Sequence, residues 1–211
     1  MSKHYDITII GAGSAGLTVA AVAGQLKYKV ALIEGHKMGG DCLNYGCVPS
    51  KAFLHASKDL KDFNKVMNHI EESIKFIEPH DSAERFEGFG VDVINGYAKF
   101  LDEETIVVNG DTITSNKFVI ATGSKAFIPN IPGLSDVNYL TNETVFSIKE
   151  KPESITILGA GPIGVEMAVA FNNMGVKTTI IQHSTGILKN DDQELADLLK
   201  NKLLRDGIEI F

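Results

Sequence analysis

Apolar residues in this chain come in short runs punctuated by small residues, and two of the runs are copies of each other. Asp6-Ile7-Thr8-Ile9-Ile10 and Ser154-Ile155-Thr156-Ile157-Leu158 each read as a buried strand. Each then enters a glycine turn, Gly11-Ala12-Gly13-Ser14-Ala15-Gly16 in the first case and Gly159-Ala160-Gly161-Pro162-Ile163-Gly164 in the second, with an Ala-rich helical segment beyond it. Gly159 lies 148 residues beyond Gly11, and Gly161, Gly164 and Ala168 keep that interval from Gly13, Gly16 and Ala20. The copy extends into a second strand, Tyr28-Lys29-Val30-Ala31-Leu32-Ile33 against Val176-Lys177-Thr178-Thr179-Ile180-Ile181. The chain therefore contains one strand-turn-helix-strand unit twice.

Between the copies the pattern changes period. Leu60, Phe63, Val66, Met67, Ile70, Ile74 and Ile77 recur at steps of three and four, which predicts a long amphipathic helix ended by Pro79. Val91 to Ile120 reads as antiparallel strands, with Asn109-Gly110 as a tight hairpin between Ile106-Val107-Val108 and Thr112-Ile113-Thr114. Phe118-Val119-Ile120 returns as a further strand into Ala121-Thr122-Gly123. Pro129, Pro132, Gly133 and Pro152 mark a connector. The expected class is α/β: two Rossmann-like units with a three-stranded antiparallel meander, the second unit truncated. The expected domains are residues 1–150 and the start of another at 151–211.

With 44% hydrophobic and 22% charged residues, the 211-residue chain has the composition of a globular protein with a real core. A net charge of −7 argues against a nucleic-acid partner, which would require a basic face. No uncharged apolar run approaches a membrane span, and no targeting segment precedes the first strand, so no membrane partner and a cytoplasmic location are expected.

The glycine turns imply two dinucleotides. Glycines permit a tight turn and close backbone approach, and the helix N-terminus behind them offers N–H groups to a pyrophosphate. Glu34, 18 residues after Gly16, stands where a carboxylate accepts hydrogen bonds from a ribose diol, as either FAD or NAD presents. Its counterpart is Gln182, followed by His183 and Lys189. A neutral Gln182 is neither the acidic signature of NAD nor the arginine typical of NADP. His183 and Lys189 fit a 2′-phosphate or an ordinary loop equally well.

The two cysteines of the chain lie in Gly39-Gly40-Asp41-Cys42-Leu43-Asn44-Tyr45-Gly46-Cys47-Val48-Pro49-Ser50-Lys51. A pair so spaced can close and reopen a disulfide. A helix beginning near Cys47 and the charge of Lys51 would favour a thiolate. A structural disulfide suits a secreted protein, which nothing here marks. A zinc site drafting His36 or His55 fits the spacing loosely but leaves Gly39, Gly40 and Lys51 without a role.

That string, with the repeated turns, resembles the flavin-dependent pyridine nucleotide-disulfide oxidoreductases, the family of dihydrolipoamide dehydrogenase, glutathione reductase and mercuric reductase. The resemblance covers nearly the whole chain, with two departures: Asp41 where many members have Thr, and Tyr45 where many have Val. It implies electron flow from NAD(P)H to FAD, then to a Cys42–Cys47 disulfide, then to a disulfide or metal-ion acceptor. Cys42 is implied as the thiol that attacks the acceptor and Cys47 as the one facing the flavin. Lys51 is implied near the flavin, paired with Glu166 so as to join the two domains. The same resemblance puts Gly40, Asp41, Ala121, Thr122 and Gly123 along FAD and the backbone of Ala98 at its adenine. Pro162 stands where some relatives place a tyrosine lid, so no such gate is expected.

The family also has a Gly-Asp segment completing FAD binding and a C-terminal dimerisation domain with a His-Glu acid-base pair. His4, His36, His55, His69, His80 and His183 fit no such motif. The expectation is an N-terminal fragment, poorly active alone, of a homodimeric enzyme. A non-catalytic dinucleotide-binding module is the alternative; a ferredoxin reductase relative is a third, against which Gly39 to Lys51 argues.

Overall fold

A computed structural model describes residues 3–183 and 185–211. They form two compact units: Met1–Val48 with Ile74–Glu143, and Pro49–Ser73 with Thr144–Phe211.

In the first unit β1 (Lys3–Ile10), the helix α1 (Ser14–Gln25) and β2 (Val30–Glu34) make the predicted strand-turn-helix-strand. Two helices on the cysteine string follow along the chain, α2 (Gly40–Asn44) in this unit and α3 (Cys47–Asp59), which with α4 (Phe63–Ile77) falls mostly in the second. The helix α5 (Ala83–Gly88) leads into β3 (Val91–Asn95). The strands β4 (Lys99–Phe100), β5 (Thr105–Val108) and β6 (Asp111–Ile120) complete one six-stranded sheet in the order β3-β2-β1-β6-β5-β4.

Neighbours run parallel from β3 across to β6, while β6, β5 and β4 pair antiparallel. Val30 to Ile33 are each at most 1% exposed, as a central strand covered on both faces requires. Full burial of a side chain such as Leu32 or Ile33 contributes roughly 1.5–3 kcal/mol.

Three details depart from the sequence reading. Val91–Asn95 is not antiparallel but pairs parallel with β2, Val30 opposite Val91, because the chain crosses over through helices before returning. Thr112 to Ile120 is one strand: β6 takes β5 on one side and runs along β1 on the other, from Lys3 opposite Ile113 to Ile10 opposite Ile120. Leu60 precedes α4, which begins at Phe63 and buries Phe63, Val66 and Ile70; Pro79 lies in a 3₁₀ turn just beyond it. The Asn109-Gly110 turn has φ of 53° and 89°, the paired positive values that join β5 to β6 tightly.

The second unit holds β7 (Ser154–Leu158), α7 (Pro162–Asn173) and β8 (Lys177–Ile181), then α8 (Gln193–Arg205) and β9 (Glu209–Ile210). The short helix α6 (Asn142–Val145) lies before β7. The three strands are parallel in the order β7-β8-β9. Its core joins Val165, Ala168, Ile180, Ile187, Leu203 and Ile208. Residues 49–73 belong here because Phe53 meets Phe171 edge-on at 4.9 Å and the Asn173 amide donates to Ser57 Oγ at 3.1 Å.

Candidate functional site

The two glycine turns share their backbone to a fine level. Gly11 and Gly159 have φ of 104° and 105°, and each donates its N–H at 2.8 Å to the second strand, at Ile33 and Ile181. A Cβ on Gly16 would stand 1.8 Å from Gly11 O, and one on Gly164 2.1 Å from Gly159 O, so α1 and α7 approach their turns as only glycine allows. Gly13 and Gly161 are N-caps without a side-chain cap bond, and the first N–H groups of a helix have no partner within it. Ser14 and Ala15 open α1, whereas Pro162 and Ile163 open α7, with proline where its missing N–H costs nothing.

At the strand ends the turns part ways. The Glu34 carboxylate accepts the Ala12 N–H at Oε2 and the His36 N–H at Oε1, both at 2.7 Å. Gln182 takes the equivalent place, its Oε1 accepting the Ala160 N–H at 2.9 Å. His183 follows it, exposed. Gln182, His183, Thr185, Lys200, Ile210 and Phe211 border a cavity of about 390 Å³.

The cysteine string closes onto the first turn. Gly39 donates to Ala12 O at 2.9 Å, and a Cβ on Gly40 (φ 55°) would lie 2.6 Å from Gly13 Cα. The Asn44 side-chain amide donates to Met38 O and Gly40 O, which holds α2 in place; Asp41 is exposed on it. From the other side Ala121 donates to Ile10 O, and its own carbonyl would be 2.2 Å from a Cβ on Gly11. Gly11–Gly16, Glu34, Gly40–Cys42 and Ala121–Thr122 thus converge; Gly123 (φ 67°) follows directly. Ala98 packs against the cluster of Tyr5, Ala31, Ile33 and Ile106, and the neighbouring Tyr97 ring lies against Gly35.

No disulfide joins Cys42 and Cys47 in this structure, and α3 begins at Cys47 as expected. The Cys42 thiol hydrogen-bonds to Cys47, and this bond, with burial and the neighbouring sulfur's charge, pushes its pKa up to about 11. Cys42 borders a second cavity, of about 350 Å³, with Ser14, Thr18, His80, Asp81 and Arg85. The last three were invisible to sequence reasoning: some forty residues separate them from Cys42, and no local motif marks them. Tyr45, which departs from the Val of many resembling sequences, pairs its hydroxyl with His36 Nε2 at 3.0 Å. Among the described residues no group of three or more His, Cys, Asp or Glu side chains is placed to hold a metal ion. Nor is any helix among them long and apolar enough to cross a membrane.

Lys51 Nζ donates to Glu166 Oε2 at 2.6 Å. Both residues fall in the second unit, so this pair braces that unit internally. The side chains are 62% and 31% exposed, which limits its stabilisation to about 1 kcal/mol or less.

A family model described as pyridine nucleotide-disulphide oxidoreductase matches residues 5–211. A mercuric reductase of Bacillus cereus is 36% identical over 98% of this chain, and a dihydrolipoyl dehydrogenase of Acholeplasma laidlawii is 36% identical over all of it. The chain spans 35% of the first protein's length and 69% of the second's. Among solved structures, the HOCl-induced flavoprotein disulfide reductase RclA from Escherichia coli superposes with a TM-score of 0.90 at 33% identity. That match covers 98% of this chain and 48% of the other.

Proposed function

Because this chain belongs to the pyridine nucleotide-disulphide oxidoreductase family, we propose that it carries electrons from NAD(P)H by way of FAD to Cys42 and Cys47, and onward to a disulfide or metal-ion acceptor. The family is FAD-dependent and uses NAD(P)H. One juxtaposition carries the reading for this chain. Two hydrogen-bonded thiols stand on α2 and at the start of α3, and the Gly39-Gly40 segment leading into α2 is pressed against a turn whose backbone leaves no room for a side chain.

The residues fit the cofactor. Residues 1–150, apart from residues 49–73, which pack with the second unit, would be the FAD-binding region and 151–211 NAD(P)-binding, each built on a Rossmann-like unit, with β4 to β6 as the antiparallel meander of the first. A carboxylate offers about four acceptor positions, so Glu34 keeps capacity for a ribose diol after serving Ala12 and His36. Gly11, Gly13, Ser14, Ala15 and Gly16 would hold the FAD pyrophosphate. Ala98, Ala121, Thr122 and Gly123 would line the cofactor, and Gly40, Asp41, Cys42 and Lys51 would stand beside its ring. Gly159, Gly161, Pro162, Ile163 and Gly164 would receive the second pyrophosphate, with Gln182 and His183 at its ribose. Bound FAD would supply hydride acceptance from NAD(P)H and two-electron delivery to sulfur.

The chain's own sulfurs perform the exchange with a disulfide acceptor. Deprotonated Cys42 attacks one acceptor sulfur, the acceptor S–S bond breaks, and the departing thiolate takes up a proton. Cys47, as thiolate, then attacks the Cys42 sulfur of the mixed disulfide. The second thiol leaves with the other proton, and a Cys42–Cys47 disulfide remains. The cavity bordered by Cys42 gives the acceptor its approach. Lys51, steadied by Glu166, holds positive charge one helical turn beyond Cys47.

The test is differential alkylation. The FAD-loaded protein is oxidised, treated with NAD(P)H without oxygen, and mapped by mass spectrometry. Two new alkylated sites, at Cys42 and Cys47, are expected. Alkylation unchanged by NAD(P)H would contradict the assignment.

A further inference from the structure

We propose that Tyr45 is a positioning residue of the cysteine pair: clamped by His36 and Lys37, it holds the turn between Cys42 and Cys47 in its dithiol form and so makes the pair a stronger oxidant. This rests on the reading of those cysteines as a redox couple.

Closing the pair forms one S–S bond and passes two electrons and two protons to an oxidant such as an external disulfide. The sulfurs must then move from hydrogen-bonding range to a covalent separation of about 2.05 Å, so some part of the chain between them has to shift. Cys42 stands on α2, which is held fast. Leu43 is 2% exposed, and the Asn44 side-chain amide donates to Met38 O and Gly40 O. Tyr45 and Gly46 are all that separates α2 from α3, which starts at Cys47. The movement is therefore taken up at these two residues. Gly46 has no side chain by which to hold it. Tyr45 does.

Three contacts grip that side chain. Its hydroxyl pairs with His36 Nε2 at 3.0 Å, its ring stacks on the His36 ring at 6.2 Å and 15°, and Lys37 Nζ lies 5.3 Å from its centroid. His36 is anchored in turn, because its N–H donates to Glu34 Oε1 at 2.7 Å while Glu34 Oε2 accepts the Ala12 N–H. Tyr45 is thus tied to the end of β2 and the glycine turn as well as to the helix it follows. Valine, which many resembling sequences have here, offers neither the hydroxyl nor the ring. All these contacts belong to the state in which no disulfide joins the cysteines. Shifting the turn strains them, which opposes disulfide formation.

The potential of the pair tests this. FAD-loaded protein is equilibrated without oxygen in graded mixtures of oxidised and reduced dithiothreitol, extended with glutathione at the oxidising end. It is then trapped by alkylation, and the fraction of Cys42–Cys47 disulfide is read by mass spectrometry. Tyr45→Phe, which keeps the ring and loses the hydroxyl, should shift the equilibrium about threefold toward the disulfide, a fall of about 14 mV. Tyr45→Val should shift it about tenfold, a fall of about 30 mV. In a His36→Ala background Tyr45→Phe should change the potential no further, since the partner of the hydroxyl is gone. A Tyr45→Phe potential equal to or above that of the unaltered protein would overturn this inference alone. So would a full Tyr45→Phe shift that persists in His36→Ala. No Cys42–Cys47 disulfide in any mixture would overturn both this inference and the redox reading beneath it.

Discussion

The two glycine turns of this chain are near-copies in backbone and differ in what is packed beside them. In the first, β1 lies inside a six-stranded sheet, with β2 on one side and β6 on the other. In the second, β7 is an edge strand paired with β8. Side-chain burial follows: Ile9 is fully buried, whereas its counterpart Ile157 is only partly buried. The turn geometry survives this difference because it is set by local constraints: one positive-φ glycine, one glycine against the turn carbonyl, and one bond from the first strand end to the second. Chemistry is then assigned by single side chains, Glu34 or Gln182, and by what abuts the turn. Only the first turn has a cysteine loop against it.

The largest expected effect separates local strain from packing. Gly11→Ala forces a side chain into φ 104° and places a Cβ 2.2 Å from Ala121 O; Gly159→Ala carries the same strain with nothing within 4 Å. Urea unfolding should show a loss of about 3 kcal/mol or more for the first and about 1–2 kcal/mol for the second. Equal losses would mean that the flanking strand does not constrain the turn.

The second effect belongs to the first unit alone, since it holds both cysteines. With its pKa pushed up to about 11, Cys42 remains a thiol at neutral pH, and its thiolate fraction grows tenfold per pH unit. Its alkylation rate should therefore rise about a hundredfold from pH 7 to pH 9, still without a plateau. A plateau below pH 8 would show that the bond to Cys47 does not hold its proton.

Next, Glu34→Ala should weaken FAD binding at least about tenfold, because a charged acceptor for the ribose is lost. Gln182→Ala should leave FAD affinity within about twofold, as measured by flavin fluorescence. Equal losses would break the assignment of one nucleotide to each turn.

The smallest effect concerns a buried hydroxyl. Among the described residues Thr8 Oγ1 is buried without a hydrogen-bond partner, while its counterpart Thr156 is exposed. Thr8→Val should stabilise by about 1 kcal/mol, and Thr156→Val should change thermal unfolding negligibly.

Much of this was legible in the sequence because the repeat is built from local signals. The 148-residue interval carried strand, turn and helix together, and Asn109-Gly110 announced its hairpin through the positive φ it demands. What a strand pairs with is not local. Period-two or continuous apolar character marks Val91–Asn95 as a strand without saying that it returns parallel to β2. Likewise nothing near Phe53 signals that its ring meets Phe171, so the placement of residues 49–73 with the second unit was out of reach. The site followed the same rule. Cys42, Glu34 and Gln182 were visible as members of a string or a repeat. Arg85, His80 and Lys200 were not, because folding alone brings them to their cavities.

The central claim is that Cys42 and Cys47 exchange electrons with a flavin held at the first turn. Its most direct test is the visible spectrum of the FAD-loaded protein during stepwise reduction without oxygen. Two-electron reduction should produce a long-wavelength band from Cys47 thiolate beside oxidised flavin, present in Cys42→Ser and lost in Cys47→Ser. A flavin that bleaches without that band, or a band that survives Cys47→Ser, would contradict the account.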